Sequence, residues 1–139
     1  MSDTYEYDLL VIGSGPSGQS AAIQASKLHK RVALVEKRRR VGGVCTFTGT
    51  IPSKTLREAI LSTTGGDRDD GFTVRKRPEM TDLINRVNQV IASETSVVRN
   101  SLARNDITVL EGEASFIDAH RIAITNDAGT RAVTAENIL

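Results

Sequence analysis

The stretch that decides the fold runs from Tyr7 to Glu36 and reads YDLLVIGSGPSGQSAAIQASKLHKRVALVE. It contains an apolar run ending at Gly13, a glycine-rich turn, an alanine-rich segment and a second apolar run from Arg31 to Glu36. Apolar runs of this length are typical of parallel strands buried on both faces, and the segment between them has helical spacing. The stretch therefore predicts a right-handed β-α-β unit.

The turn between the first strand and the helix has the spacing G-x-G-x-x-G, formed by Gly13, Gly15 and Gly18. The first glycine permits a tight turn, the second lets a pyrophosphate approach the backbone, and the third allows helix and strand to pack closely. Pro16 stands at the first helical turn, where a missing N–H does no harm. The helix that follows directs its free N–H groups toward phosphates.

An acidic residue, Glu36, follows Gly18 at the end of the second strand and can accept both hydroxyls of an adenosine ribose. Together these features predict a dinucleotide site; the alternative is a structural glycine turn with an ordinary surface acid. The basic run Lys37 to Arg40 comes next. It could bind a 2′-phosphate, but Glu36 would repel that phosphate, so the sequence favours a solvated basic loop.

The middle of the chain predicts a helical excursion. A loop is expected from Lys37 to Thr50, a helix beginning near Pro52 or Ser53, and a polar, glycine-rich loop over residues 62–71. The longest helical period runs from Arg77 to Asn105.

Within that long helix the sequence predicts a break around Ser93 to Ser96 and offers Thr81 as a capping residue. After it the period changes to that of strands, in the segments ITVLEG, EASFID, RIAITN and RAVTAENIL. The sequence NDAG, Asn126 to Gly129, predicts a hairpin turn. The fold class expected is α/β: a Rossmann-like domain with a parallel sheet, a long helical excursion and an antiparallel β-meander.

The final letters, AENIL, resemble the opening of a further buried strand. We therefore expect residues 1–139 to form one nucleotide-binding domain, the N-terminal part of a longer chain whose NAD-binding and dimerisation domains are absent here.

Composition narrows the class of protein. The net charge of +1 implies no strong attraction to nucleic acid or membrane, and no apolar run reaches the ~20 residues of a membrane span. The N-terminus lacks a secretory signal, so a cytoplasmic protein is expected. The chain has one cysteine, Cys45, which excludes an intramolecular disulfide framework. Its two histidines, His29 and His120, have no partners at metal-ligand spacing, so surface or capping roles are expected and no metal site.

The segment VGGVCTFTGTIPSKTLRE, Val41 to Glu58, resembles the signature of the flavoprotein disulfide reductase family, G-G-x-C-x-x-x-x-C-x-P-x-K. The resemblance covers nearly the whole chain, because the nucleotide fold, the cysteine segment, the long helix and the meander come in the family's order. It implies that FAD is the bound cofactor. It also implies that Lys54 lies near the flavin N5 edge as a catalytic residue, where a positive charge favours the reduced ring.

The resemblance further implies a set of cofactor-binding residues that share closeness to the pyrophosphate, ribose, adenine or flavin. They are Gly13, Gly15, Pro16, Gly18, Glu36, Lys37, Gly42, Gly43, Cys45, Thr46, Lys54 and Ala114.

The sequence departs from the family signature at one position. Thr50 stands where the second redox cysteine is expected, and a threonine can form neither a thiolate at neutral pH nor a disulfide. Cys45 is then either a lone reactive thiol or, as the sequence favours, a small residue packed beside FAD. The form G-G-x-C-x-x-x-G-T-I-P-S-K resembles a branch of the family that lacks the cysteine pair and passes hydride between NADPH and NAD+ through FAD.

This branch implies nicotinamide dinucleotides, NAD and NADP, as substrates of the full-length protein, and a homodimer or larger homo-oligomer. Two alternatives stay open: a flavoprotein reductase of a quinone or another small acceptor, and a non-catalytic FAD-binding module. We expect the 139-residue chain alone to be inactive.

Overall fold

The computed structural model describes residues 5–64 and 79–139. In chain order the helices and strands are β1 (Tyr7–Ile12), α1 (Pro16–Lys27), β2 (Val32–Glu36), α2 (Gly43–Phe47), α3 (Thr50–Thr64), α4 (Met80–Arg104), β3 (Thr108–Glu111), β4 (Glu113–Phe116), β5 (Arg121–Asn126) and β6 (Gly129–Ile138). Every helix in these described ranges is too short or too polar to cross a membrane.

The six strands form one sheet in the order β3-β2-β1-β6-β5-β4. On one side of the sheet β3, β2, β1 and the second half of β6 run parallel, and on the other side β4, β5 and the first half of β6 run antiparallel. The hairpin turn between β5 and β6 is where NDAG predicts it, with Asn126 paired to Gly129. The predicted α/β, Rossmann-like fold with a parallel sheet, a helical excursion and an antiparallel meander is confirmed.

The strand β3 corrects one part of the prediction, because it was expected in the meander. It pairs parallel with β2 instead, from Ala33 opposite Thr108 to Glu36 opposite Glu111. The long helix α4 returns the chain to the β2 edge, where Leu110 joins the core with only 8% exposure. A single residue, Gly112, then turns the chain into β4.

The last strand corrects a second part. Residues 135–138 do not open a separate strand, because they continue β6 after its pairing with β5 ends at Thr134. Ala135 lies opposite Tyr7, and Leu139 exchanges backbone hydrogen bonds with Leu10 and Ile12 of β1. One strand of ten residues therefore belongs to both the meander and the parallel sheet.

The helical excursion also differs in detail from the prediction. The expected loop over 37–50 contains the short helix α2, and α3 begins at Thr50, ahead of Pro52. The helix α3 continues to Thr64, so the predicted loop over 62–71 is wrong at its start, and its remainder lies outside the described residues.

The helix α4 begins at Met80 with Glu79 at its N-cap, not Thr81, and residues 77–78 of the predicted span lie outside the described ranges. The predicted break at 93–96 is absent. The hydroxyls of Thr95 and Ser96 donate to the carbonyls of Ile91 and Ala92, at 2.8 and 3.0 Å, so these polar residues are satisfied within the helix.

The core has two layers, one on each face of the parallel strands. Leu10 and Val35 face the meander, where they pack with Ile122, Ile124 and Val133. The other face packs against the helices through a cluster that comprises Val11, Ala22, Val32, Leu34, Val41, Leu102 and Ile107. Burial on both faces explains the continuous apolar runs, and it leaves the carboxyl ends of β1 and β2 as the place for a ligand.

Candidate functional site

The glycine turn joins β1 to α1. There is no room for a side chain at Gly18, whereas the space around Gly15 is open. Gly13 has φ +102°, and its N–H donates to the carbonyl of Val35 at 2.7 Å. A Cβ on Gly18 would lie 2.1 Å from the carbonyl oxygen of Gly13, so helix and strand meet backbone to backbone.

Gly15, by contrast, is the N-cap of α1, and a Cβ there would meet no atom within 4 Å. No side chain caps the helix. Free N–H groups beside open space at a helix N-terminus suit an anion such as the pyrophosphate of a dinucleotide. The turn therefore fits the cofactor that the sequence predicts.

The carboxylate of Glu36 is buried at the end of β2 and already has three donors. Its Oε2 accepts from the backbone N–H of Ser14 at 3.1 Å and from the Ser14 hydroxyl, and its Oε1 accepts from the N–H of Arg38 at 2.9 Å. The Ser14 hydroxyl in turn accepts from the N–H of Gly42 at 2.9 Å. Sequence reasoning missed Ser14, because a serine between two motif glycines looks like a spacer.

These contacts decide the charge of Glu36. Burial acts to raise its pKa, but the hydrogen bonds from Ser14 and from the N–H of Arg38, with the nearby Arg38 charge, outweigh burial and hold the pKa below its ordinary value. Glu36 is therefore an ionised acceptor at neutral pH.

A cavity of about 250 Å³ opens at the carboxyl ends of β1 and β2, where they meet the start of β4. It is lined by Ile12, Gly13, Val35, Glu36, Lys37, Gly112, Glu113 and Ala114. Its size is below the roughly 300–1,000 Å³ of whole-ligand pockets, so it suits one end of a dinucleotide. The structure thus brings four predicted cofactor residues from three separate parts of the chain into one cavity: Gly13, Glu36, Lys37 and Ala114.

The basic run after Glu36 is exposed, and two of its members have acidic partners. Lys37 pairs with Glu113 at 3.2 Å and Arg39 with Asp127 at 3.3 Å. These pairs support the interpretation as a solvated loop over that of a 2′-phosphate site, since surface pairs of this kind are weak and well hydrated.

The cysteine segment packs against the glycine turn. Gly43 has φ +68°, and a Cβ on it would lie 2.7 Å from the Cα of Gly15, so the two backbones touch. The buried hydroxyl of Thr46 donates to the carbonyl of Gly42 at 3.1 Å and holds the start of α2. Cys45 is partly buried in the middle of this helix. The structure therefore gathers this predicted group beside the pyrophosphate turn.

The two remaining residues of the signature lie on α3. Thr50 is its first residue and Lys54 follows one turn later on the same side, both with exposed side chains. Lys54 does not line the cavity of Glu36, so its contact with the flavin stays a prediction.

The two histidines have local structural contacts. His29 has φ +58° just after α1, and its N–H donates to the carbonyl of Ser26 at 2.8 Å, which ends the helix. His120 lies with its ring centroid 5.0 Å from that of Tyr5. Neither lines the cavity of Glu36.

Comparisons with known proteins identify the family of this chain. The family described as FAD dependent oxidoreductase matches residues 8–133. A soluble pyridine nucleotide transhydrogenase of Mycobacterium bovis (strain BCG / Pasteur 1173P2) is 50% identical over 127 residues, which cover 88% of this chain and 27% of that protein. One of Enterobacter sp. (strain 638) is 36% identical over 143 residues, covering all of this chain and 31% of the relative.

Among solved structures, the Cu(II) complex of the HOCl-induced flavoprotein disulfide reductase RclA from Escherichia coli aligns with a TM-score of 0.82 and 27% identity. The alignment covers 97% of this chain and 28% of RclA. This chain therefore spans less than a third of the length of the proteins it matches. The match over residues 8–133, together with the glycine turn and the buried Glu36, shows that the chain belongs to the family of FAD-dependent oxidoreductases.

Proposed function

We propose that this chain is the N-terminal, FAD-binding part of a longer Si-specific NAD(P)+ transhydrogenase, which passes hydride between NADPH and NAD+ without a redox disulfide. The observation that carries the proposal is Thr50, which opens α3 at the position of the second cysteine, in a chain whose one cysteine is Cys45. Relatives named soluble pyridine nucleotide transhydrogenase, at up to 50% identity among those compared, support the same activity.

When bound, FAD would supply the carrier that accepts hydride from one nicotinamide and returns it to another. The chain's own residues would hold and orient it. Gly13 and Gly15, with Pro16 in the first turn of α1, leave room for the pyrophosphate beside the free N–H groups, and Gly18 lets α1 pack closely on β1. Glu36 would accept a ribose hydroxyl.

Lys37 and Ala114 would contact the adenosine end, because they line the same cavity as Glu36. The cysteine segment would complete the site through Gly42, Gly43, Cys45 and Thr46.

Lys54 is proposed as the catalytic residue that holds a positive charge beside the flavin. A fixed cation placed where negative charge develops lowers the barrier without reorganisation. NAD and NADP would be substrates of the longer protein, in which further domains bind the nicotinamide and form a homodimer or larger oligomer in the cytoplasm.

The test uses the longer protein that carries this chain, purified with FAD and assayed for NADPH-to-NAD+ hydride transfer. Cys45→Ser is expected to keep both the flavin and the activity. Loss of activity in that variant with FAD retained would contradict a thiol-free mechanism. A colourless protein that cannot be reconstituted with FAD would contradict both catalytic functions considered, the transhydrogenase and the reductase of a small acceptor.

The role of Lys54 is tested with Lys54→Met against Lys27→Met, an exposed lysine in the last turn of α1. We expect Lys54→Met to lower turnover while FAD stays bound, and Lys27→Met to behave like the parent. Equal turnover in the two variants would remove Lys54 from the mechanism.

A second candidate is a flavoprotein reductase of a quinone or other small acceptor. The likeness to RclA, which is named as a reductase, favours keeping it. It is distinguished by the acceptor: NADPH oxidation that needs a quinone and does not reduce NAD+ would replace the transhydrogenase proposal.

A further inference from the structure

One buried hydroxyl connects the two loops that flank the proposed pyrophosphate site. Ser14 is fully buried between Gly13 and Gly15. Its hydroxyl accepts from the N–H of Gly42 at 2.9 Å and donates to Oε2 of Glu36. Because a hydroxyl has one hydrogen, and a backbone N–H can only donate, the direction of both hydrogen bonds is fixed.

These bonds also determine which oxygen of Glu36 is free to bind a ligand. Oε2 takes two donors, the hydroxyl and the backbone N–H of Ser14, whereas Oε1 takes only the N–H of Arg38. Each carboxylate oxygen has two acceptor positions, so Oε1 keeps one, which accommodates one ribose hydroxyl and not the two expected from the sequence. The serine therefore sets the orientation in which the carboxylate meets the ligand.

The same residue holds the segment that leads to Cys45. Gly42 is buried with φ +137°, and the Ser14 hydroxyl is the acceptor of its N–H. One residue later, Gly43 lies against the backbone of Gly15. The glycine turn and the cysteine segment are thus joined by one hydrogen bond and one backbone contact, side by side.

We propose that Ser14 is a positioning residue that orients the Glu36 carboxylate for the ribose and fastens the Gly42–Gly43 turn, so that cofactor affinity and the placement of the cysteine segment depend on one hydroxyl. The proposal rests on the FAD site of the proposed function. Alanine at this position would leave the buried N–H of Gly42 without its acceptor and would remove one of the three donors to Glu36.

The first test compares Ser14→Ala with Ser20→Ala in the full-length protein. Ser20 is an exposed serine on α1 beyond its first turn, and its side chain makes no hydrogen bond to the described part of the chain. FAD affinity is measured by flavin fluorescence on the apoprotein. We expect Ser14→Ala to weaken binding roughly 10- to 100-fold, the cost of losing a buried hydrogen bond to a charged group. Ser20→Ala is expected to stay within about twofold.

The second test separates positioning from packing. In a Glu36→Gln background, Ser14→Ala should cost much less than in the parent, because the charged acceptor is gone. Additive losses would overturn the proposal.

A pH series gives an independent readout. Loss of the hydrogen bond from the Ser14 hydroxyl raises the pKa of Glu36, so Ser14→Ala should release FAD at a higher pH than the parent on acidification. Release at the same pH would contradict a role through the carboxylate.

Folding failure and a failed proposal are kept apart by a third variant. Ser14→Cys has the shape of serine with a slightly larger atom, and it donates and accepts weakly, so it should fold and bind FAD with intermediate affinity. A folded Ser14→Cys or Ser14→Ala protein that binds FAD like the parent would overturn the inference alone. A parent protein that does not bind FAD would instead overturn the proposed function.

Discussion

Replacing Gly18 by alanine should destabilise the fold although alanine is the better helix former. The added Cβ would lie 2.1 Å from the carbonyl oxygen of Gly13 and 3.2 Å from Cγ1 of Val11, where ordinary contacts begin at 3.4 Å. That carbonyl belongs to Gly13, whose N–H donates to the carbonyl of Val35, and α1 is held against the sheet by the fully buried Ala22. To relieve the contact, α1 must move away from β1 by about 1 Å, which loosens a close-packed layer.

The expected magnitude is a balance of two effects. Overpacking of a core typically costs about 1–3 kcal/mol and sometimes more, whereas replacing glycine by alanine inside a helix returns about 1 kcal/mol. Since the atom in the way is backbone and cannot rotate aside, we expect the upper part of that range, a net loss of about 2 kcal/mol. With a urea slope of about 1–3 kcal/mol/M, the unfolding midpoint should fall by about 1 M.

Urea unfolding followed by far-UV circular dichroism measures this loss, and Gly15→Ala is the matched control. A Cβ on Gly15 meets no atom within 4 Å, so without FAD its midpoint should fall far less than that of Gly18→Ala, although FAD binding weakens. A Gly18→Ala protein with the parent's midpoint or a higher one would refute the close contact of α1 with β1.

Three further predictions concern stability. Asp8 accepts side-chain hydrogen bonds from Arg31, which lower its pKa from the ordinary 3.8 to about 2. The resulting stabilisation of the fold is complete above about pH 4 and is lost as the pH falls toward 2. Asp8→Asn should therefore flatten the dependence of the urea midpoint on pH between about pH 4 and pH 2. Asp106 has φ +52° just after α4, a left-handed conformation that glycine adopts more easily than other residues. Asp106→Gly should therefore raise the free energy of unfolding by up to about 1 kcal/mol, and Asp106→Ala should lower it. Equal urea midpoints for the two variants would show that the left-handed backbone has no cost. Leu102 on α4 is 1% exposed, so Leu102→Ala should lower the free energy of unfolding by about 2–5 kcal/mol. Val97→Ala, at an exposed position of the same helix, should lower it by about 0.5 kcal/mol or less, and a comparable loss in both variants would place Leu102 outside the core.

The β-α-β unit could be predicted from the sequence because each of its elements has a strong local signal. Continuous apolar runs, three spaced glycines and an acid at a strand end define both the elements and their contact. The partner of β3 had no such signal. ITVLEG is compatible with either kind of sheet, and only the return of the chain along α4 places it beside β2.

The candidate site shows the same division between local and distant information. The residues of the glycine turn and Glu36 follow from spacing, whereas their link to the cysteine segment depends on a hydrogen bond between Ser14 and Gly42, 28 residues apart. A small hydroxyl residue between two motif glycines, directly after a buried strand, is the only sequence signal that could have indicated it. The short helix α2 was missed because it has only five residues and contains glycine, threonine and valine, which are weak helix formers.

The double membership of β6 has a consequence for the speed of folding. The β1-α1-β2 unit and the β5–β6 hairpin each form from residues close in the chain. The centre of the sheet, in contrast, pairs β1 with β6, which are far apart in the sequence. There the N–H of Glu6 donates to the hydroxyl of Thr134, 128 residues away. Contacts of such long sequence separation must overcome a large loop-closure entropy before they stabilise anything. The pairing of β1 with β6 is therefore expected to form last. The rate of refolding should be limited by the association of the β1-α1-β2 unit with the β5–β6 hairpin.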